Sequence, residues 1–248
     1  MNVGIASVER ISGQRSEPRS IYVFTSVLFL VTAVAGFGPK SVSILRGTLP
    51  FPPLAIHVHG AIMVSWLLLL IAQTSLAGSG RLDLHRRLGV ASFVLAPAIF
   101  AAMIVATLVA FDFMSANGLR SVASNLLLVQ IRSIVLFAVF YIWAVSTRRT
   151  APEVHKRMMI MATLVLIDAA IGRMHWLPFT STTTYTPVHL YLLLLIVPAL
   201  IYDLKRLHRV HEAYVIALGL FIPWMIATAL MWNTPWWLTK APMLLGAH

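Results

Sequence analysis

The chain has 248 residues, of which 59% are hydrophobic and 11% charged, with a net charge of +11 and no cysteine. A soluble domain usually carries about 25% charged residues, so a chain this poor in charge cannot cover a water-facing surface and must turn much of itself to lipid. The missing cysteine excludes disulfides, thiolate catalysis, iron–sulfur clusters and thiolate zinc sites. The basic balance does not point to nucleic acid, because Lys and Arg cluster at the ends of apolar segments, as membrane topology requires.

In chain order, a basic tail over 1–20 with Arg10, Arg15 and Arg19 precedes an apolar run at Ile21–Phe37. Further runs follow at Leu54–Ala77, Leu88–Phe111, Ala123–Ser146, Arg157–Leu177, Pro187–Leu204 and His211–Trp232. Each approaches the roughly 20 residues that an α-helix needs to cross the hydrocarbon core. None shows the short alternating pattern of a barrel strand. The expected fold is therefore all-α: a seven-helix transmembrane bundle over 21–232, with 233–248 as an extracytoplasmic tail. Ala33-Val34-Ala35 has the form of a signal-peptidase site. The run before it is long enough to span, however, so an uncleaved first helix is expected. Trp232, Trp236 and Trp237 read as an interfacial aromatic anchor.

The loops carry a charge signal. If every segment spans, Arg81, Arg86, Arg87, Arg148, Arg149, Lys156, Arg157, Lys205, Arg206 and Arg209 share the side of the N-terminal tail. The other side holds Lys40, Arg46, Arg120 and Lys240. This bias of about three to one places the N-terminus in the cytoplasm and the C-terminus outside, in a cell (inner) membrane. The loops also repeat. His85-Arg86-Arg87-Leu88 opens one helix, and His155-Lys156-Arg157-Met158 opens another at the corresponding point. A looser copy ends in His208-Arg209-Val210-His211. The architecture reads as one lead helix followed by three helical hairpins, a repeat pattern that often places a site at its interface.

Two charges fall inside apolar runs. Arg132 lies about nine residues into the fourth run from outside, and Asp168 about eleven into the fifth from inside, so both should approach the bilayer midplane at about 1.5 Å per residue. A charge there costs at least about 2.5 kcal/mol, and pairing across the hairpin is the natural remedy. Arg173 is a second candidate partner for Asp168. The pair reads equally as a structural lock or as the polar core of a transporter.

The topology sorts the histidines into two layers. His57, His59, His175 and His189 fall at the outer ends of three helices. Imidazole suits copper, zinc or iron, and haem b takes one or two such ligands. An outer metal or haem site competes here with plain interfacial caps. His57 and His59 are about 200° apart on an ideal helix, which argues against both pointing inward. His175 should stack on Asp168, seven residues earlier on the same face, as a relay or orienting group. The inner layer of His85, His155, His208 and His211 reads mainly as topology signal and headgroup contact.

A resemblance rests on these same pieces. His57-Val58-His59-Gly60, the helix to Gln73, Gly80-Arg81 and His85-Arg86-Arg87-Leu88-Gly89 look like a group of bacterial multi-pass membrane proteins. His155-Lys156-Arg157-Met158 with His175, and His189 opening a helix, resemble the CtaM-like proteins linked to assembly of haem-copper oxidases. The resemblance covers roughly residues 36 to 212. It implies haem or copper handling in a respiratory chain, oxidase subunits as partners beside the lipid bilayer, and His57, His59, His175 and His189 as the residues carried over. Three functions follow: an assembly protein holding a metal ion or haem, a membrane electron-transfer oxidoreductase using the same site, or a transporter or structural subunit built on Arg132 and Asp168. No phosphate-binding Gly-Lys-Ser/Thr loop, Gly-x-Ser-x-Gly or His-Glu-x-x-His motif occurs.

Overall fold

The computed structural model describes residues 20–181 and 183–246, so Arg10, Arg15, Arg19 and His248 lie outside the described residues. The described chain is helical throughout: α1 (Ser20–Leu45), α2 (Leu54–Gly78), α3 (Leu82–Gly89), α4 (Ser92–Ala116), α5 (Arg120–Thr147), α6 (Pro152–Ile171), α7 (Thr186–Leu207), α8 (Glu212–Met231) and α9 (Pro235–Met243). Six of these, α1, α2, α4, α5, α7 and α8, are long and apolar enough to cross a membrane. Their outer faces carry Val94, Ile142, Leu194 and Leu230, each at least 60% exposed. Apolar area exposed around a whole bundle belongs in lipid rather than water.

α6 is the seventh long helix, and it differs in kind. It carries Glu153, Lys156, Arg157 and Asp168, yet 13 of its 20 residues are buried. The other helices shield it: α1, α5, α7 and α8 all pack against it. That central position is why its composition departs from a lipid-facing helix. α2–α4 and α5–α6 pack as antiparallel hairpins, whereas α7 lies mainly on α1 and α6. Trp66 on α2 reaches the centre, where its indole N–H donates to the Thr163 hydroxyl at 3.1 Å and its ring meets Phe137 edge-on.

Contacts define the two ends of the bundle. Tyr22 at the start of α1 meets Tyr202 at the end of α7, and Lys156 Nζ lies 5.0 Å over the Tyr22 ring. Arg148 at the end of α5 stacks over Phe93 at the start of α4. This end, labelled inner, gathers Arg86, Arg148, Arg149 and Lys205, and Lys40, Arg46, Arg120 and Arg173 lie at the opposite end, labelled outer.

Three boundaries differ from the sequence reading. The loop expected before Leu88 contains a separate short helix, α3. The 233–246 stretch is not a simple tail: Thr234 caps α9 through its hydroxyl, which accepts from Trp237 N–H at 3.3 Å, and Pro235 fits the first helical position. Trp237 is buried against α5, its indole N–H donating to the Ser124 carbonyl at 2.8 Å, while Trp236 stays exposed. α6 stops at Ile171, two turns before the expected Leu177.

The α1–α6 crossing depends on a glycine. A Cβ built on Gly36 would lie 2.2 Å from the Ala170 carbonyl oxygen. That atom is backbone and cannot rotate away, so α1 would have to back off. Gly36→Ala is expected to cost about 1–3 kcal/mol by overpacking, read as the unfolding midpoint of the detergent-solubilised protein. An unchanged midpoint would mean that this crossing adjusts freely.

Candidate functional site

The two charges that fall inside apolar runs find each other. Arg132 and Asp168 are fully buried and form an ion pair between the Arg132 Nη2 and Asp168 Oδ2 atoms. The short loop between α5 and α6 sets this register, because an antiparallel hairpin brings these two levels opposite each other. Asp168 lies about 24 Å along α6 from Pro152 at about 1.5 Å per residue, level with Arg132 near the middle of α5.

Two further groups close the site, and the sequence reading assigned neither to it. Tyr185, in the linker ahead of α7, donates its hydroxyl to Asp168 Oδ1 at 3.0 Å. Burial pushes the Tyr185 phenol up to about 12, against the opposing pull of Arg132 and Arg173, so it stays a neutral donor. His189, in the first turn of α7, presents Nε2 to Arg132 Nη1 at 2.7 Å. A guanidinium can only donate, so that nitrogen accepts and the proton of the neutral ring resides on Nδ1. The Tyr185 ring stacks on Trp232 at 4.6 Å and meets His189 edge-on at 5.1 Å. The Arg132 guanidinium lies 5.5 Å over the Phe221 ring of α8, and Arg132 Nε has no hydrogen-bond partner among the described residues. Four elements, α5, α6, the α6–α7 linker and α7, thus converge on one dehydrated charge pair. An apolar groove of about 280 Å³, lined by Thr32, Ile171, Met174 and Tyr191 among others, opens between α1, α6 and α7, with Ile171 one turn from Asp168.

This arrangement corrects the histidine expectation. Among the described residues no three His, Asp or Glu side chains form a group that could hold a metal ion. His189 is committed to Arg132. His175 follows the end of α6, is exposed, and does not stack on Asp168. The physical reason is the early stop at Gly172, where a Cβ would come within 2.9 Å of the Tyr185 hydroxyl. The chain turns there so that Tyr185 can reach Asp168. His57 and His59 remain on the first turns of α2, which packs beside α1 and α4, and α1 separates them from α7. His57 stacks on Phe51 at 4.5 Å. His57 Nε2 and His59 Nδ1 are buried without hydrogen-bond partners among the described residues. Arg173 does not pair with Asp168 and lies over the Phe37 ring at 4.5 Å.

A second charged centre went unread in the sequence. Near the inner end of α6, Arg157 forms a two-pronged ion pair with Asp203 of α7, with Nε to Oδ2 at 2.9 Å and Nη2 on Oδ1. Both side chains are buried. Arg157 Nη1 also donates to Glu153 Oε2 at 2.7 Å, and His211 N–H donates to Asp203 Oδ2 at 3.2 Å. The Tyr214 ring lies under the guanidinium at 5.7 Å. Asp203 could have been found by the reasoning applied to Asp168, since it too is an acid inside an apolar run.

The inner histidines divide. His85 and His155 each turn Nδ1 to a backbone carbonyl of the preceding long helix, Gln73 at 3.2 Å and Ala144 at 2.8 Å. The looser third copy does otherwise. His208 ends α7 in a left-handed conformation, and His211 caps α8 by accepting from Ala213 N–H at 3.1 Å.

Six helices long and apolar enough to cross a membrane make this chain a multi-pass integral membrane protein. No family model, curated protein or solved structure matches it.

Proposed function

We propose that the protein is a seven-span transporter of the cytoplasmic membrane, N-terminus inside and C-terminus outside, with Arg132–Asp168 as its coupling centre. Support for α6 as the seventh span comes from its length and its enclosure by α1, α5, α7 and α8. Support for the orientation comes from the arginine-rich inner end. The observation that carries the function is the buried ion pair bound to an ionisable His189. An intramembrane charge is expensive, and apolar packing would hold a hairpin at lower cost. A carboxylate and an imidazole on one guanidinium offer two protonation states with different partners: a proton on Asp168 or on His189 releases Arg132 from one of them. Oxidase assembly and electron transfer have no comparable observation in their favour.

The test is proton movement in reconstituted vesicles. With a pH-sensitive dye inside and a potassium-diffusion potential imposed, vesicles containing the protein are expected to acidify several-fold faster than empty ones. Asp168→Asn should abolish the difference while the protein still reconstitutes. Because the chain has no cysteine, single cysteines at Arg86 and Arg120 report orientation in the same vesicles by labelling from opposite sides. Equal rates in empty, wild-type and Asp168→Asn vesicles would leave the pair a structural lock.

A further inference from the structure

The outer rim of the groove between α1, α6 and α7 carries two cations without an acidic partner among the described residues. Gly36 of α1 lies against the Ala170 backbone of α6, where an added Cβ would meet the carbonyl oxygen at 2.2 Å. One residue further along α1, the Phe37 ring lies under the Arg173 guanidinium at 4.5 Å. Lys40 follows Phe37 by three residues, so it is the next residue outward on that face of α1. Lys40 and Arg173 are both exposed, and neither forms an ion pair among the described residues. Asp168, the acid nearest to Arg173 in sequence, is held by Arg132 and Tyr185. Asp112, the other acid at this end, is on α4, which packs mainly on α2 and α5.

The local geometry of Arg173 suits a phosphate. Its Nη1 donates to the Ala169 carbonyl, and one face of the guanidinium is covered by Phe37. Its Nε and Nη2 donors make no hydrogen bond among the described residues. That edge is the one with which Arg157 takes both oxygens of Asp203, and a fork of this kind matches a phosphate equally. The depth fits as well. Trp176, exposed in the linker three residues after Arg173, has the place of the interfacial tryptophans that mark headgroup level.

The groove runs inward from this rim. Thr32, Ile171 and Met174 form its buried floor, and Val31 and Leu194 stand exposed at its edges. Val31 is nine residues before Lys40, about 13 Å deeper at about 1.5 Å per residue. The volume of about 280 Å³ takes a stretch of one acyl chain and not a whole lipid. Two cations at headgroup level above an apolar slot are the complement of an anionic amphiphile. We propose that this is a binding site for an anionic phospholipid, with the phosphate between Arg173 and Lys40 and one acyl chain along the groove. A zwitterionic lipid carries its own cation, which Lys40 and Arg173 repel. The site needs only the membrane-spanning helices and stands whether or not the protein moves protons.

The test is photo-crosslinking in bilayers. The whole chain is reconstituted into phosphatidylcholine nanodiscs doped with either a phosphatidylglycerol or a phosphatidylcholine probe that carries a diazirine at mid-chain, and the labelled residues are mapped by mass spectrometry. Val31 and Leu194 are expected to be labelled about tenfold or more in favour of the phosphatidylglycerol probe, given roughly fivefold for each cation near the surface. Lys40→Gln should reduce this excess about fivefold, and Lys40→Gln/Arg173→Gln should abolish it. Arg120→Gln, at the same end, should leave it unchanged. Lys40 is exposed near the end of α1, so Lys40→Gln keeps the test decisive even if the double variant fails to fold. Equal labelling by the two probes marks an ordinary annular lipid and overturns the proposal. An excess undiminished by Lys40→Gln, or one confined to residues of the inner end such as Leu84, also overturns it.

Discussion

Asp168→Leu is expected to destabilise the protein by about 3–5 kcal/mol, and Arg132→Met/Asp168→Leu to recover most of that loss. The single change leaves the Arg132 guanidinium fully buried with only His189 Nε2 and the Phe221 ring beside it. Neither neutralises a full charge, and bulk water reaches a side chain this buried only if the bundle opens. Tyr185 also loses its acceptor, so a buried hydroxyl is left unmade. The double change removes both charges and fills the space with side chains of similar volume. Buried ion pairs treated in this way have proved neutral or better. Unfolding midpoints in one detergent, for wild type and three variants, give the coupling energy directly. Were the double variant no better than Asp168→Leu, the pair would not be the interaction that holds α5 to α6 at this level. The same variants separate stability from function: a double variant that is stable but moves no protons keeps the coupling role, and one that moves them as wild type removes it.

The parts of this site that were legible in the sequence were those where physics leaves no choice. A charge inside an apolar run must find a counter-charge, so Arg132 and Asp168 could be paired across the short hairpin. Lys and Arg at helix ends could be sorted for the same reason. Imidazole imposes no such demand. It is neutral near pH 7, and an arginine, a carbonyl or an aromatic ring can each satisfy it. His189 went to Arg132, and His85 and His155 to backbone carbonyls, while His57 stacks on Phe51 and keeps Nε2 without a hydrogen bond among the described residues. Equal depth on three helices therefore did not imply a shared site. The end of α6 was hidden because it is set from outside the segment, by a tyrosine 13 residues beyond Gly172 that must fit against it. The start of α9 was readable and went unread, since Thr234-Pro235 is a cap followed by a favoured first residue.

The inner ion-pair centre predicts a graded series. Arg157→Met is expected to be the most damaging single change, at about 3–5 kcal/mol. It strips Asp203, only 1% exposed, of both guanidinium contacts and leaves His211 N–H as its remaining donor. Asp203→Asn should cost less. Asparagine keeps an oxygen for one prong, and Arg157 retains Glu153 at 2.7 Å as a counter-charge. Glu153→Gln should cost under about 1 kcal/mol, because a carboxylate 52% exposed is screened by water. Arg157→Met/Asp203→Leu should lie well above Arg157→Met alone. The order also has a kinetic side. Asp203 lies four residues before the end of α7, and His211 N–H ties the start of α8 to it, so the α7–α8 hairpin is pinned to α6 by this carboxylate. Losing it should expose the α7–α8 turn before the rest of the bundle opens. Backbone amide exchange at Leu207–Val210 in Arg157→Met is the readout. Faster exchange there than at the α5–α6 hairpin places the weakest link at the inner end. Uniform exchange across both hairpins would mean that Arg157 holds the whole bundle and not one corner of it.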